Sequence, residues 1–166
     1  IASTIFLGGC NFRCPFCQNS SLVLSPNKQP VISTEEVLSV LKKRQGILEG
    51  VCITGGEPTS DKELFLLIDK IKELGYPVKL DTNGSHPWIL KKLVNNQMID
   101  MVAMDIKSSK ESYTKVSGCK NIDLTSICES VEFLLSDVIP YEFRTTVVRE
   151  LHDKSDFESI GKWIAG

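Results

Sequence analysis

The sequence predicts an α/β fold in which parallel strands alternate with helices. Apolar stretches of strand length alternate with amphipathic stretches of helix length, and this alternation repeats five times along the 166 residues. Hydrophobic residues make up 42% of the chain and charged residues 24%, which is typical of a globular protein with a core. We therefore expect five βα units in a single domain, residues 1–166.

Helix start and stop signals separate the predicted strands. Ser33 and Glu36 form a capping pattern for a helix that ends near Gln45, and Ser60 or Asp61 is expected to cap the next helix, which stops at residue 74. The segment 110–120 is less regular. The predicted strands are 4–7, 50–54, 78–81, 100–105 and 141–148, and the remaining helices are 87–95, 124–136 and 156–165.

Charge and cysteine usage narrow the class of protein. A formal net charge of -2 provides no basic surface for sequence-independent nucleic-acid binding, and no apolar run is long enough to span a bilayer. Six cysteines without a secretory signal indicate a reducing compartment, so we expect a cytoplasmic protein. Ile1 lies within the approach to a strand, so we also expect a chain that lacks its native N- and C-terminal ends.

Three cysteines stand together directly after the first predicted strand. Cys10, Cys14 and Cys17 place three thiols within eight residues. A four-iron cluster is normally held by four cysteines, so three of them predict a cluster with one iron left open to another ligand. The alternative is a zinc site, but zinc usually takes four ligands, often as paired cysteines or histidines, and the sequence has no second pair.

The other predicted strands also lead into polar residues. The second strand leads into residues 54–58, the third into 81–84 and the fourth into 105–107, while the fifth carries Arg144. Because the loops at the carboxyl ends of parallel strands converge, we expect all of these residues to belong to one composite site.

These motifs resemble those of radical S-adenosylmethionine (SAM) enzymes. The three cysteines have the family's spacing, with Phe16 as the aromatic residue before the last of them, and Gly-Gly-Glu follows the second strand. The runs 17–19, 80–84 and 104–107 are similar to those of glycyl-radical-enzyme activases, especially the anaerobic ribonucleotide reductase and pyruvate formate-lyase types. The resemblance covers residues 4–149 and implies a radical SAM core domain, a partial (β/α) barrel of the TIM type with its sixth unit truncated.

The resemblance implies that Cys10, Cys14 and Cys17 are the catalytic and metal-binding residues. They would hold a [4Fe-4S] cluster that binds SAM and cleaves it to methionine and a 5′-deoxyadenosyl radical. Phe16 would pack near the adenine, or simply in the core. Gly55 and Gly56 have no Cβ atom, so SAM could come close to the backbone there, and Glu57 would accept a hydrogen bond from the ammonium group of SAM. The alternative is a Gly-Gly turn followed by a surface glutamate.

The later strands would contribute the rest of the cofactor site. Asp81 and Asp105 would repel each other unless a cation or hydrogen bonds lie between them. By resemblance, a monovalent cation would be bound by these carboxylates, the Thr82 hydroxyl and the Ala103 carbonyl; alternatively, the two aspartates cap helices. Lys107 and Arg144 would neutralise the carboxylate of SAM. The cofactor-binding residues predicted on these later strands are Asp81, Thr82, Asn83, Asp105, Lys107 and Arg144.

Three cysteines stand outside the cluster. Cys52 in a strand and Cys128 in a helix are expected to be buried structural thiols. Cys119, beside Gly118, is expected to be a loop thiol, with a second-cluster ligand as the alternative.

By resemblance, the protein is expected to install a glycyl radical on a partner such as anaerobic ribonucleotide reductase, with flavodoxin or ferredoxin as its electron donor. One alternative is a radical SAM enzyme that acts on a small molecule or a peptide. The other is a non-catalytic iron-sulfur protein that carries electrons. We expect no nucleic-acid or membrane partner.

Overall fold

All five predicted strands form, and they pair in sequence order. The computed structural model describes residues 1–165 and contains one sheet of order β1-β2-β3-β4-β5, in which every neighbouring pair is parallel. This confirms the predicted α/β class, and the sheet is open, with β1 and β5 at its edges. The strands are β1 (Ala2–Leu7), β2 (Gly50–Gly55), β3 (Val78–Thr82), β4 (Met101–Asp105) and β5 (Tyr141–Arg144).

Seven α-helices lie within residues 1–165. Five match the predicted helices, while α1 and α5 were not predicted because each has only five residues, too few for a helical period to show. Ser33 caps α2 as expected, since its side chain accepts a hydrogen bond from the Glu36 amide. The helices are α1 (Ser20–Leu24), α2 (Thr34–Lys43), α3 (Leu64–Glu73), α4 (Pro87–Asn95), α5 (Tyr113–Ser117), α6 (Leu124–Leu135) and α7 (Lys154–Ile164).

The predicted end of the fifth strand and the predicted cap of α3 were wrong. The fifth strand ends at Arg144 rather than at 148. Its partner β4 ends at Asp105, so the β-branched residues 145–148 have no strand residues to pair with. Thr145 instead donates its hydroxyl to the Ile106 carbonyl, 2.9 Å away. Helix α3 is not capped by Ser60 or Asp61, since residues 58–60 form a 3₁₀ turn and the helix begins only at residue 64. Gly166 lies outside the described residues.

The two faces of the sheet differ in character. On the helix-covered face, defined by Ile5, Val51, Ile53, Val78, Leu80, Val102 and Met104, apolar side chains pack against the helices and form the core. On the open face, defined by Ala2, Thr4, Phe6, Cys52, Thr54, Lys79, Asp81, Met101, Ala103, Asp105, Glu142 and Arg144, most side chains are polar or charged. Strand alternation separates the two sets, because successive side chains point to opposite faces. No helix within residues 1–165 has the length and apolar character needed to cross a membrane.

Candidate active site at the carboxyl ends of the strands

One cavity of about 190 Å³ lies at the carboxyl ends of the strands. Every predicted site residue lines it except Ala103 and Arg144, and Arg144 reaches it through its ion pairs with two lining aspartates. The structure therefore brings the predicted residues together. Sequence reasoning missed further lining residues, of which Asn19 had a signal in the run 17–19. The predicted residues in the lining are Cys10, Cys14, Phe16, Cys17, Gly55, Gly56, Glu57, Asp81, Thr82, Asn83, Asp105 and Lys107.

The loop that carries the three cysteines, residues 8–19, is anchored from several sides. Phe12 is buried in the core, whereas Phe16 stays partly exposed in the cavity wall. The Arg13 amide donates to the Ser117 carbonyl at 2.9 Å, and the Glu57 amide donates to the Gly9 carbonyl at 2.8 Å. The loop is thus held between α5 and the end of β2.

The glycine pair at the end of β2 lines the cavity and also allows close packing of the backbone. A Cβ atom at Gly56 would lie 1.8 Å from the Gly9 carbonyl oxygen, and one at Gly55 would lie 2.2 Å from the Leu7 oxygen. Gly55 also has a φ of +124°, in the region that side chains disfavour. The space that these glycines leave is therefore filled by the backbone of β1 and the cysteine loop.

Two of the cysteine thiols are stabilised in the protonated form. Burial raises the pKa of Cys10 to about 11, and the nearby Glu57 carboxylate adds to this effect. Burial also raises the pKa of Cys14, while the positive charge of Lys107 opposes the increase. Because thiolates are the metal-binding form, cluster binding must release protons from these groups.

Glu57 is a buried anchor of the β3 loop. Its exposed fraction is 1%, and one carboxylate oxygen accepts hydrogen bonds from the Thr59 amide and hydroxyl and from the Thr82 hydroxyl. The other oxygen accepts from the Asn83 amide at 2.7 Å. Each carboxylate oxygen offers about two acceptor positions, so the first oxygen is fully used while the second keeps one. The burial of Glu57 is inconsistent with the alternative of a surface glutamate, and its bond to the ammonium group of SAM stays a prediction.

The two rim aspartates are bridged by the protein's own cations. Arg144 lies 3.1 Å from Asp81 and 3.1 Å from Asp105, and Lys107 lies 3.0 Å from the second oxygen of Asp105. Burial lowers the pKa of Arg144 and Lys107, but the neighbouring carboxylates outweigh that effect and raise both values. The place expected for a monovalent cation between the aspartates thus holds a guanidinium group, and neither aspartate caps a helix.

One atom of this network lacks a hydrogen bond. Asp81 Oδ1 is buried and has no hydrogen-bond partner among the described residues, although Lys79 Nζ forms an ion pair with it at 3.3 Å. Asp81 also lies beside Cys52, whose pKa is raised to about 11 by burial first and by this negative charge second. The thiols of Cys52 and Cys128 are partly exposed rather than fully buried as expected.

The donor set fits an iron-sulfur cluster better than a single metal ion. Within residues 1–165, no three His, Cys, Asp or Glu side chains are arranged around one position that could hold a metal ion. In a four-iron cluster each thiolate binds a different iron atom, so the cysteines surround a cluster and need not converge on one point. Cys119 is close to the cysteine loop, where its thiol donates to the Asn11 carbonyl at 3.2 Å.

Known proteins share this sequence pattern. Residues 4–164 match the family described as the Radical SAM superfamily. The chain is 32% identical over 167 residues to a Methanocaldococcus jannaschii protein provisionally named glycyl-radical enzyme activating enzyme MJ1227, with 98% of this chain and 68% of that protein covered. It is also 28% identical to a protein of Thermococcus kodakarensis provisionally named GTP 3′,8-cyclase, with 91% and 48% covered.

A third relative, 7-carboxy-7-deazaguanine synthase of Koribacter versatilis, is 26% identical, with 87% of this chain and 60% of that protein covered. The chain thus spans only 48% to 68% of the length of these relatives.

Solved structures share the fold. The structure of anSMEcpe with bound AdoMet is similar to this chain with a TM-score of 0.73 at 19% identity, over 97% of this chain and 48% of that one. Streptococcus suis SuiB bound to S-adenosylmethionine gives a TM-score of 0.68 at 14% identity, over 98% and 35%. These similarities confirm the expected partial-barrel architecture, which this chain forms with five strands.

Proposed function

Because the chain belongs to the radical SAM superfamily, whose enzymes use a [4Fe-4S] cluster and SAM, we propose that it activates a glycyl radical enzyme. The observation that carries the proposal is the single cavity in which three cysteines face the polar ends of three other strands. The similarity to the M. jannaschii protein over 98% of this chain supports the activase subtype.

The chemistry comes from the bound cofactors. Cys10, Cys14 and Cys17 would hold the cluster, which would supply the one electron needed to cleave SAM to methionine and a 5′-deoxyadenosyl radical. Lys107 and Arg144 are fixed by their ion pairs with the aspartates and present positive charge to the SAM carboxylate. Phe16 in the cavity wall offers its ring to the adenine.

Exposed apolar side chains near the site support a protein partner. Leu24, Trp88 and Val147 have exposed fractions of 65%, 63% and 64%. Leu24 and Val147 directly follow the cavity-lining residues Val23 and Thr146, and Trp88 lies in the first turn of α4. Large exposed apolar groups around a polar site are typical of a surface that another protein covers. A glycyl loop of the partner would then enter the cavity, and a small electron-transfer protein would supply the electron.

The test is the transfer of the radical to the partner. The full-length protein, reconstituted under anaerobic conditions, would be incubated with a candidate glycyl radical enzyme, SAM and a reductant. We expect a glycyl radical signal on the partner by electron paramagnetic resonance (EPR). Cys14→Ala should abolish the signal, whereas the matched control Cys128→Ala, in helix α6, should retain it. Cleavage of SAM without a radical on the partner would contradict the proposal.

A second candidate rests on the similarity to the cyclase and the synthase. In that case the substrate is a small molecule. Formation of 5′-deoxyadenosine only when a small substrate such as GTP is present, and not with the protein partner, would favour this candidate. A cluster whose spectrum is unaffected by SAM would instead indicate an electron carrier.

A further inference from the structure

The side-chain amide of Asn83 points at the cysteine loop. Its Nδ2 atom donates to the Asn11 side-chain oxygen at 2.9 Å and lies 3.9 Å from the Cys10 sulfur, within the range of an N–H···S contact. Asn83 is 5% exposed, so this amide is nearly excluded from water. One of its two N–H groups is thus used by Asn11, and the other faces the sulfur of a cluster ligand.

Three hydrogen bonds fix this orientation. The Asn83 side-chain oxygen accepts from the Ser85 amide at 2.9 Å, which leaves the NH₂ group to face the cysteine loop. Its backbone amide donates to Glu57, which holds the end of β3 in place. Asn11 is held in turn by its bond to the Ser85 hydroxyl at 2.8 Å. A flipped amide would lose the bonds to both Ser85 and Asn11.

The three cysteines differ in their hydrogen bonds. Cys10 receives two contacts from N–H groups, from the Phe12 amide at 3.3 Å and from Asn83. Among the described residues, the sulfur atoms of Cys14 and Cys17 accept no hydrogen bond from another residue's backbone or side chain. Hydrogen bonds to cluster sulfurs stabilise the negative charge that accumulates on reduction, and so they raise the reduction potential.

We propose that Asn83 is a positioning residue that acts on the cluster through Cys10. Its N–H group orients the Cys10 thiolate and stabilises the reduced cluster, so the protein can accept an electron from a weaker reductant. This role concerns the electron-transfer step alone. It does not depend on whether the substrate is a protein or a small molecule.

The test is the reduction potential of the reconstituted cluster, measured without SAM or partner by EPR-monitored redox titration. Asn83→Leu keeps the approximate shape of the side chain and removes the donor, so its potential should be more negative than that of the unmodified protein. Asn83→Asp removes the same donor and adds negative charge, so its potential should be more negative still. The matched control is Asn19→Leu, which lines the same cavity but donates to the Gly55 carbonyl rather than to a sulfur.

The control should keep the potential of the unmodified protein. An unchanged potential in Asn83→Leu would overturn the proposal, and so would an equal shift in Asn19→Leu. If neither Asn83 variant binds a cluster while Asn19→Leu does, Asn83 is required for assembly and the proposed tuning role is wrong. Because no turnover is measured, failure of the activase assay leaves this result unaffected.

Discussion

The two faces of the sheet use neighbouring residues of the same strands for different purposes. In β2, Val51 and Ile53 are at most 1% exposed beneath the helices, whereas Cys52 and Thr54, at the alternate positions, lie on the open face. In β3, Leu80 is buried in the core, while Asp81 is paired with Arg144. A step of one residue along a strand therefore separates the residues that stabilise the fold from those that build the site.

Gly55 and Gly56 contribute both to the fold and to the site, so we expect the largest effect on stability from a substitution there. Gly56→Ala would force a Cβ atom against the Gly9 carbonyl and separate the cysteine loop from β2. We expect a loss of about 3 kcal/mol or more in the free energy of unfolding, together with loss of iron binding. Chemical denaturation and iron analysis would measure both.

The control is Gly161→Ala in helix α7, where an added Cβ meets nothing within 4 Å. It should stabilise the protein by up to about 1 kcal/mol, because alanine favours helix. Equal stability of the two variants would show that the loop does not pack on β2 as described.

Substitutions at adjacent positions of β2 should separate the two faces. Ile53→Ala empties a fully buried position and should cost about 3 kcal/mol. Cys52→Ala, one residue away on the open face, should cost less than about 1 kcal/mol, because that thiol is only partly buried. Urea denaturation of both proteins checks the difference. Similar losses would mean that both faces of β2 contribute equally to the core.

A change within the open face should affect the site more than the fold. Arg144→Met removes the guanidinium between Asp81 and Asp105 and leaves two carboxylates facing each other. We expect SAM affinity of the reconstituted protein to fall about tenfold, or about 1.4 kcal/mol, by equilibrium dialysis. The free energy of unfolding should change by less than about 1 kcal/mol, because the pairs are partly exposed to solvent.

Arg144→Lys keeps the charge but not the planar fork that reaches both carboxylates, so its affinity should be intermediate. A large loss of stability in Arg144→Met with unchanged SAM affinity would assign this network to the fold instead.

The smallest expected effect is a pH dependence. The pKa of Cys52 in the folded protein is raised to about 11 from the ordinary thiol value of 9.0, chiefly by burial. Its contribution to stability is therefore complete below pH 9 and is lost as the pH rises through about 11, because the unfolded chain ionises first. In denaturation curves of the cluster-free protein, Cys52→Ala should lose less stability over this interval than the unmodified chain. Parallel losses would contradict the environment described for this thiol.

Local sequence signals predicted most of the fold and the members of the site. The five strands and the convergence of their loops followed from hydrophobic period and from the rules of parallel sheets. Helices α1 and α5 and the early end of β5 were missed, because they depend on short segments and on the length of a neighbouring strand.

The partners of each side chain were less predictable. The sequence does not indicate that Glu57 accepts hydrogen bonds from Thr59, Thr82 and Asn83, because most of these bonds form only when separate loops meet. The same holds for Arg144, which lies 63 residues from Asp81 in the chain and bridges a pair that otherwise pointed to a bound cation. Motifs identify the members of the site, whereas tertiary packing assigns their partners.

We propose that Cys10, Cys14 and Cys17 hold a four-iron cluster at the cavity where SAM binds. The EPR spectrum of the reduced, anaerobically reconstituted full-length protein, recorded with and without SAM, tests this proposal. We expect a four-iron signal that changes when SAM is added and that is absent from Cys14→Ala. A cluster signal that is identical with and without SAM would mean that SAM does not bind the cluster.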